Sequence, residues 1–553
     1  MLLRFRPIFR IVSLVTAGLI AGCSGGGGSG TTPQPVASSA AADLVPVTFT
    51  IKWPKSSSDG APRARGSKGP KYLPSTARSA SIGLYGGTPQ YLNSPTSTLT
   101  FTAPAGLDTF LVQVYDEQNG DGNVLSKANI TQKISGTSGN IVATTLNGVI
   151  ASLKVTLSNP APAAGTKATI AVTAAGLDAD GNTIIGPADY STPITLGISD
   201  PAGSGTLSLS KTLLQTPATA VTLTYSGGTL WSAAVTASAG GAAAVSAPLT
   251  PTPTIYSIKL PNSASRPVYV TPGPSGLMWF TDNGTNAIGR SSLTGTVSET
   301  TIPDANAQPG GIVEASDGNI YFTETNGIHV GKSLPSGVIS EPFNLQAAYF
   351  SGLVSDGNGN LWFLYPGSND SFIFGLNLAS GISNTTEIPV ANADPLSLAF
   401  GPDANLYFTE FGANQIGKLY DPYQSATVSE LPAPTDSSPR SIVRGPDGNM
   451  WFTELNRSRI GVLSWSNFSL IAEYITPTIN SGPNLMTVGK DGALWFTEDY
   501  VNRIGRVTTG GVITEYPVGP MSSSLELQGI ATAPDGSIWF CETATNVIGK
   551  LVY

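Results

Sequence analysis

Six carboxylates recur at the close of one repeated four-residue word: Asp282, Glu324, Glu410, Glu454, Glu498 and Glu542. The word runs aromatic–Phe–Thr–acid, as in Trp451-Phe452-Thr453-Glu454, and in its third copy Tyr365 takes the acid's place. Carboxylates gathered at one end of several strands can hold a cation or move protons, and they can equally accept backbone hydrogen bonds from the next loop. An acid present in nearly every copy is expected to be architectural. Departures from the repeat are the better guides to a site, and at the same end they are Arg440, Asn484, Glu526, Gln528, Phe350 and Tyr365. The chain's one histidine, His329, opens a different strand and is expected to be a packed or surface residue. Cys541 occupies the Thr position of the last word and reads as a buried, inert thiol. No Gly-rich phosphate loop, zinc spacing or nucleophile elbow occurs. Asp/Asn-rich stretches at 116–123 and 178–182 lack the acid that closes a calcium loop, so hairpin turns are expected there.

The elements that must carry these residues follow from the period. The word occurs seven times, at spacings of 42, 41, 45, 44, 44 and 44 residues. Within a period, β-branched and aromatic residues alternate with polar ones between Gly-rich turns, without helical periodicity. All-β repeats of about 40–45 residues suit one four-stranded blade each. The expected fold is all-β, with a seven-bladed β-propeller over 254–553.

Residues 438–462 give the blade plan. Ile442-Val443 is the innermost strand, Pro446-Asp447-Gly448-Asn449 a hairpin turn, Met450 to Thr453 the returning strand, and Ile460-Gly461 the start of the third, where Gly permits close backbone approach. Asp317, Asp403, Asp447, Asp491 and Asp535, four positions before the aromatic, read as turn formers. Asn286, Asn414, Asn502 and Asn546 read as loop formers. The residue opening each inner strand precedes the acid position by 15 residues in all seven copies, which places both at one mouth of the central channel. The chain ends one strand short of a blade. Thr254 to Pro261 is expected to supply that strand, joining the two ends of the propeller and removing its open edges.

Ahead of the propeller, residues 1–22 have the pattern of a lipoprotein signal peptide. Arg4, Arg6 and Arg10 precede an apolar core from Ile11 to Leu19, and Ile20-Ala21-Gly22-Cys23 matches a lipobox. Lipid on Cys23 anchors rather than spans, and Ser24 after it favours the outer membrane or cell surface. Residues 23–43 form a flexible linker, 44–150 a β-sandwich-like domain interrupted by a basic loop with Lys55, Arg63, Arg65, Lys68 and Lys71, and 151–250 an immunoglobulin-like β domain. From Thr254 onward there are 26 Asp/Glu against 13 Lys/Arg, a net of −13, and before it 10 against 15, a net of +5. An acidic propeller argues against nucleic acid as partner.

The word Pro-x-x-Ile-x-x-Gly-Pro-Asp-Gly-Asn-x-Trp-Phe-Thr-Glu, followed by Asn-x-Ile-Gly-Arg, resembles the repeat of the virginiamycin B lyase (streptogramin lyase) family over about residues 254–553. The resemblance implies a seven-bladed propeller. It further implies a carbon–oxygen lyase that opens cyclic type B streptogramins by elimination, with Mg²⁺ and a His as acid/base. The family's Glu–Pro–His position reads Glu526-Leu527-Gln528, with Glu542 as the matching metal-side acid. The catalytic His is absent, and Gln cannot take its proton. Export also argues against an enzyme that protects ribosomes.

The expected function is therefore a surface-anchored propeller binding a small molecule, saccharide or peptide at its acidic mouth without efficient catalysis, with the binding residues Arg440, Asn484, Glu526 and Gln528. The alternatives are a Mg²⁺-dependent lyase using Glu526 and Glu542, and a structural or adhesive cell-envelope protein. The anchor is testable. Cys23→Ser should move the protein from the membrane to the soluble fraction; retention of the variant on salt-washed membranes would exclude lipid as the sole anchor.

Overall fold

A computed structural model describes residues 44–51, 77–136, 140–142, 147–184, 189–201, 203–230, 233–345, 349–367, 370–424, 426–519 and 525–553. The signal peptide, Cys23, the linker and the basic loop lie outside the described residues. The regular structure among the described residues is strand throughout, apart from three short 3₁₀ turns.

The first unit pairs a three-stranded sheet with a five-stranded one, around a core that includes Val47, Phe49, Ile82, Phe110 and Val114. The second packs two four-stranded sheets about Ile170, Ile194, Leu223, Tyr225 and Val235. Both Asp-rich stretches are turns: Asp116 Oδ1 accepts the Asn123 N–H at 2.6 Å, and Asp178 Oδ1 accepts those of Asp180 and Asn182 at 3.0 and 2.8 Å. The second unit docks on the end of the propeller. Leu230 N–H donates to the Tyr553 carbonyl at 2.8 Å, and Tyr256 O–H to that of Ala164 at 3.1 Å.

Seven four-stranded sheets follow, each hydrogen-bonded in the order inner to outer. The inner strands of blades 1 to 7 are Pro267–Pro272, Pro309–Glu314, Ser351–Ser355, Pro395–Phe400, Pro439–Arg444, Pro483–Val488 and Leu527–Thr532. Blade 7 takes its outer strand from the start of the propeller: Thr254–Lys259 pairs antiparallel with Val547–Val552 in an unbroken six-residue register. The expected closure is the one observed.

Each position of the repeated word has its own packing role. The aromatic and acid positions fall on alternate faces of the second strand, as a period of two requires. The first aromatic packs forward: Trp279 clusters with Phe322, Trp451 with Phe496, Trp495 with Phe540, and Trp539 with Phe280, so the chain of contacts returns to its start. In six blades the Phe lies over the third-strand glycine of its own blade; in blade 3 Gly375 faces Trp362 instead. A Cβ at Gly289, Gly331, Gly417, Gly461, Gly505 or Gly549 would collide with the ring of Phe280, Phe322, Phe408, Phe452, Phe496 or Phe540. The glycine therefore makes room for an aromatic side chain, where close backbone approach was expected.

The recurrent Asp also does more than turn the chain. Asp447 and Asp491 accept the indole N–H of Trp451 and Trp495 at 3.0 and 3.2 Å, and Asp317 and Asp403 the phenol O–H of Tyr321 and Tyr407 at 2.9 and 3.0 Å. A third-strand cation often completes the set, as where Lys418 pairs with Asp403 at 2.8 Å and lies 4.9 Å from the Tyr407 ring centre. Phe350 and Tyr365, expected at the site, belong instead to an aromatic cluster of blade 3 with Phe363 and Phe374. Cys541 is fully buried, and burial pushes its thiol up.

Closure can be tested directly. A chain beginning at Asn262 leaves the edge of Val547–Val552 unpaired and should unfold several degrees below one beginning at Pro251. Equal thermal midpoints would exclude this pairing as the lock.

Candidate functional site

The channel mouth is built from a break in each inner strand. Pairing shifts register between Pro439 and Ile442, Pro483 and Met486, and Leu527 and Ile530, so the second and third residues of each inner strand stand outside the ladder. Bulges of this kind re-aim side chains. In blades 4, 5 and 6 the Thr of the repeated word ties the bulge of its own blade to that of the next. Thr453 Oγ1 accepts the Ser441 N–H at 3.0 Å and donates to the Asn484 carbonyl of the next blade at 2.7 Å. Thr409 serves Ser397 and Arg440 at 3.1 and 3.2 Å, and Thr497 serves Leu485 and Gln528 at 3.2 and 3.1 Å. Three sequence-predicted site residues, Arg440, Asn484 and Gln528, are thus each fixed at their backbone by a threonine of the preceding blade.

Their side chains converge on one side of the mouth. Asn484 Nδ2 donates to the Leu527 carbonyl at 3.1 Å and to Gln528 Oε1 at 3.4 Å, while its buried Oδ1 has no partner. Glu526 pairs with Arg266 at 3.1 Å, both largely in solvent, so the pair adds about 0–1 kcal/mol. Its φ of 51° is not a special strain, because Gln308, Asp394, Ser438 and Gly482 hold the same left-handed conformation before their own inner strands.

Asp499 joins this group and was missed by sequence reasoning. Burial raises its carboxyl above the usual range, Arg440 and a backbone hydrogen bond from Leu527 oppose the rise, and Glu526 adds to it. The available signal was a second acid directly after the repeated Glu498, where the other blades carry Asn, Thr, Pro, Phe or Leu. Across the mouth, burial raises the Tyr269 hydroxyl while Arg440 draws it down. Below, the channel narrows to about 160 Å³ lined by residues such as Val270, Ile312, Leu398, Ile442 and Met486.

The carboxylate ring is elsewhere. The register pairs Pro267 with Asp282, Pro309 with Glu324, Pro439 with Glu454 and Leu527 with Glu542, as the 15-residue offset requires. The acids nevertheless do not face the channel: five are fully buried and Glu542 is 6 % exposed. Asp282 accepts the backbone N–H groups of Arg266 and Gly284 at 2.7 and 2.9 Å, the architectural role expected of the repeat. Glu542 accepts the Thr545 hydroxyl at 2.8 Å, and burial raises its carboxyl. Asn286, Asn414 and Asn502 are left-handed loop formers, as expected, and their amides clamp the next crossover, Asn414 Oδ1 taking the Ser438 N–H at 2.8 Å.

Several ring acids meet a second carboxylate from the outer strand. Burial first, and then Glu430, pushes Glu410 to about 8; burial and then Glu515 do the same to Glu498. Glu454, facing Glu473, reaches about 7 despite Arg457 at 3.1 Å. Both oxygens of Glu410 are buried without partners.

A family model described as the virginiamycin B lyase family matches residues 214–422 and 374–553. Among solved structures, the chain is similar to one titled streptogramin B lyase, at 30 % identity and a TM-score of 0.49, covering 54 % of this chain and 97 % of that one. It is similar at the same identity and TM-score to virginiamycin B lyase from Staphylococcus aureus, covering 55 % of this chain and all of that one. A catalytically inactive histidine-to-alanine variant of the S. aureus enzyme, solved with quinupristin, matches equally. No curated protein matches the chain.

The buried acids make stability depend on pH. A carboxyl whose folded-state value lies above its ordinary 4.5 stabilises the fold fully below that value, and the contribution is lost as pH rises through about 8. Thermal stability should therefore fall between about pH 5 and 9. Glu410→Gln should raise stability at pH 9 by an amount on the order of 2 kcal/mol, read as a higher melting temperature, and change it little at pH 5. A variant no more stable than wild type at pH 9 would mean that Glu410 is ionised and satisfied.

Proposed function

The chain belongs to the virginiamycin B lyase family, and we propose that it is a member that binds its ligand at the channel mouth without efficient catalysis. One observation carries this reading: the mouth presents Arg440, Asn484, Asp499, Glu526 and Gln528 but no imidazole, and the chain's single histidine sits in blade 2. Efficient proton abstraction needs a base with a pKa near the working pH and within hydrogen-bond reach. Gln528 cannot serve. A ligand rich in amides, such as a peptide or depsipeptide, suits the rim best, because the partly exposed Arg440 and Gln528 offer donors to its carbonyls. Display from the outer cell surface on a lipidated Cys23 completes the proposal.

The family's Mg²⁺ is a poor fit to this rim. Glu526 is committed to Arg266, Glu542 is buried against Thr545, and among the described residues these acids do not gather with a third acid or histidine into a ligand group. A second reading, residual lyase activity, has one observation in its favour. Asp499 is a carboxyl raised by burial beside the rim, which makes its ionised form a stronger base than an ordinary aspartate.

The experiment is a ring-opening assay on a type B streptogramin followed by mass spectrometry, alongside calorimetric binding of the same compound. Wild type should bind and not linearise it, with or without Mg²⁺, and Asn484→Ala with Arg440→Ala should abolish binding. Gln528→His should give at most weak turnover. Rapid wild-type turnover that collapses in Asp499→Asn or Glu526→Gln would establish the lyase instead.

A further inference from the structure

Two departures from the repeat meet in blade 2, away from the mouth. The residue opening the third strand is Ala287, His329, Ser371, Gln415, Arg459, Arg503 and Val547 in the seven blades, so an imidazole occurs there once. In the crossover leading into each inner strand, the residue five before its first position is a carboxylate only in blade 2, at Asp304; blades 1, 4, 5 and 6 have Asn262, Val390, Pro434 and Thr478. The fold brings both to the end of the second strand, at Glu324. Ligand atoms of Asp304, Glu324 and His329 all lie within 4.8 Å of one another.

We propose that blade 2 holds a divalent cation of the zinc type between His329, Glu324 and Asp304. The second strand supplies a carboxylate that is fully buried and only half satisfied: Glu324 Oε2 lies 3.2 Å from His329 Nδ1, and Oε1 has no partner. A buried, unpartnered carboxylate oxygen beside two other ligands is the arrangement a bound cation would complete. The Asp304 backbone is fixed in turn, its N–H donating to Glu341 Oε1 at 2.8 Å. On the far side of the imidazole, the Asn344 amide lies 3.4 Å from Nε2, and with its oxygen turned inward it would accept Nε2–H and leave Nδ1 free for metal. The His329 side chain is 19 % exposed, which leaves an entry path.

One imidazole and two carboxylates suit Zn²⁺ with water in a fourth position. Magnesium and calcium prefer sets made of oxygen alone. The rival account is that His329 is merely a counter-cation for the carboxylates. In blade 5 that work falls to arginines, Arg459 at 3.4 Å from Glu473 and Arg457 between Glu454 and Glu473 at 3.1 and 2.6 Å, and in blade 6 to Arg503, 3.8 Å from Glu515. Neither of those blades has an acid at the Asp304 position, and a counter-cation needs no third ligand.

The rival suggests the decisive variant. His329→Arg restores the charge pattern of blades 5 and 6 and removes the nitrogen ligand. The purified full chain, freed of metal by a chelator, is titrated with Zn²⁺ and separately with Mg²⁺ by calorimetry, and the imidazole is followed by ¹⁵N NMR, where a single histidine gives an unambiguous signal. Wild type should bind one equivalent of Zn²⁺ with a shifted Nδ1 resonance, and millimolar Mg²⁺ should not compete. Asp304→Asn should weaken binding at least about tenfold. His329→Arg should keep the wild-type melting temperature in the absence of metal and lose the site. An unshifted imidazole under excess Zn²⁺, or unchanged Zn²⁺ affinity in His329→Arg, would overturn the proposal.

Discussion

The propeller depends on one pairing between residues nearly three hundred positions apart in sequence, Thr254–Lys259 against Val547–Val552. A blade buries one face of its first aromatic against the Phe of the next, so a row of blades leaves one aromatic face bare at one end and one Phe face bare at the other. Closing the circle lets Trp539 cover Phe280 and removes both faces at once. The same closure brings Thr543 of blade 7 to the Pro267 carbonyl of blade 1 at 2.6 Å, and it sets blade 7 where the second sandwich can dock, through Leu230 and Tyr553. Non-local pairing of this kind costs loop-closure entropy before it returns any contact, which is why the aromatic word must be repeated so faithfully around the ring.

Within the closed ring, blades 4, 5 and 6 each position their successor. The threonine of one blade fixes the backbone of the second inner-strand residue in the next, at 2.7 to 3.2 Å in the three blades that lead to Arg440, Asn484 and Gln528. The mouth is therefore a surface on which a backbone is held constant and a side chain is free to vary. That division explains how the rim can carry Gln528, where the family resemblance implies a histidine, without loss of the scaffold.

Fold and closure were readable because they rest on backbone period: a spacing near 44 residues, a 15-residue offset between paired positions, and a chain end one strand short. The rim residues Arg440, Asn484, Glu526 and Gln528 were readable as departures from that period. Other features were not, for a common reason. Sequence distance along a hairpin gives the end of the blade at which a side chain lies, but not whether it turns to the channel or into the seam between blades. The ring acids turn into the seam, and Phe350 and Tyr365 turn into an aromatic cluster. Asp499 follows directly on a repeat element, where sequence position alone does not separate a rim side chain from a loop one.

The seam also explains why repeated acids and a unique acid carry different meanings. Where Asp282 sits, backbone N–H groups and the Thr285 hydroxyl satisfy the carboxylate, and it is the outer-strand Glu299 facing it that is raised, by burial first and then by Asp282. In blades 2, 4, 5 and 6 the ring glutamate itself is raised beside an outer-strand glutamate, and these blades answer the pair differently. Blade 4 answers with Gln415, which carries no charge, and Glu410 is driven to about 8. Blade 5 brings Arg457 to bridge both acids. Blade 2 instead places an imidazole and a further carboxylate beside the pair. Asp304 Oδ1 accepts the Asn306 N–H at 3.0 Å, the turn that Asn262 makes with Ala264 in blade 1. The turn accounts for the polar side chain but not for its charge, which worsens the repulsion in a seam already rich in carboxylates unless something positive is shared among them.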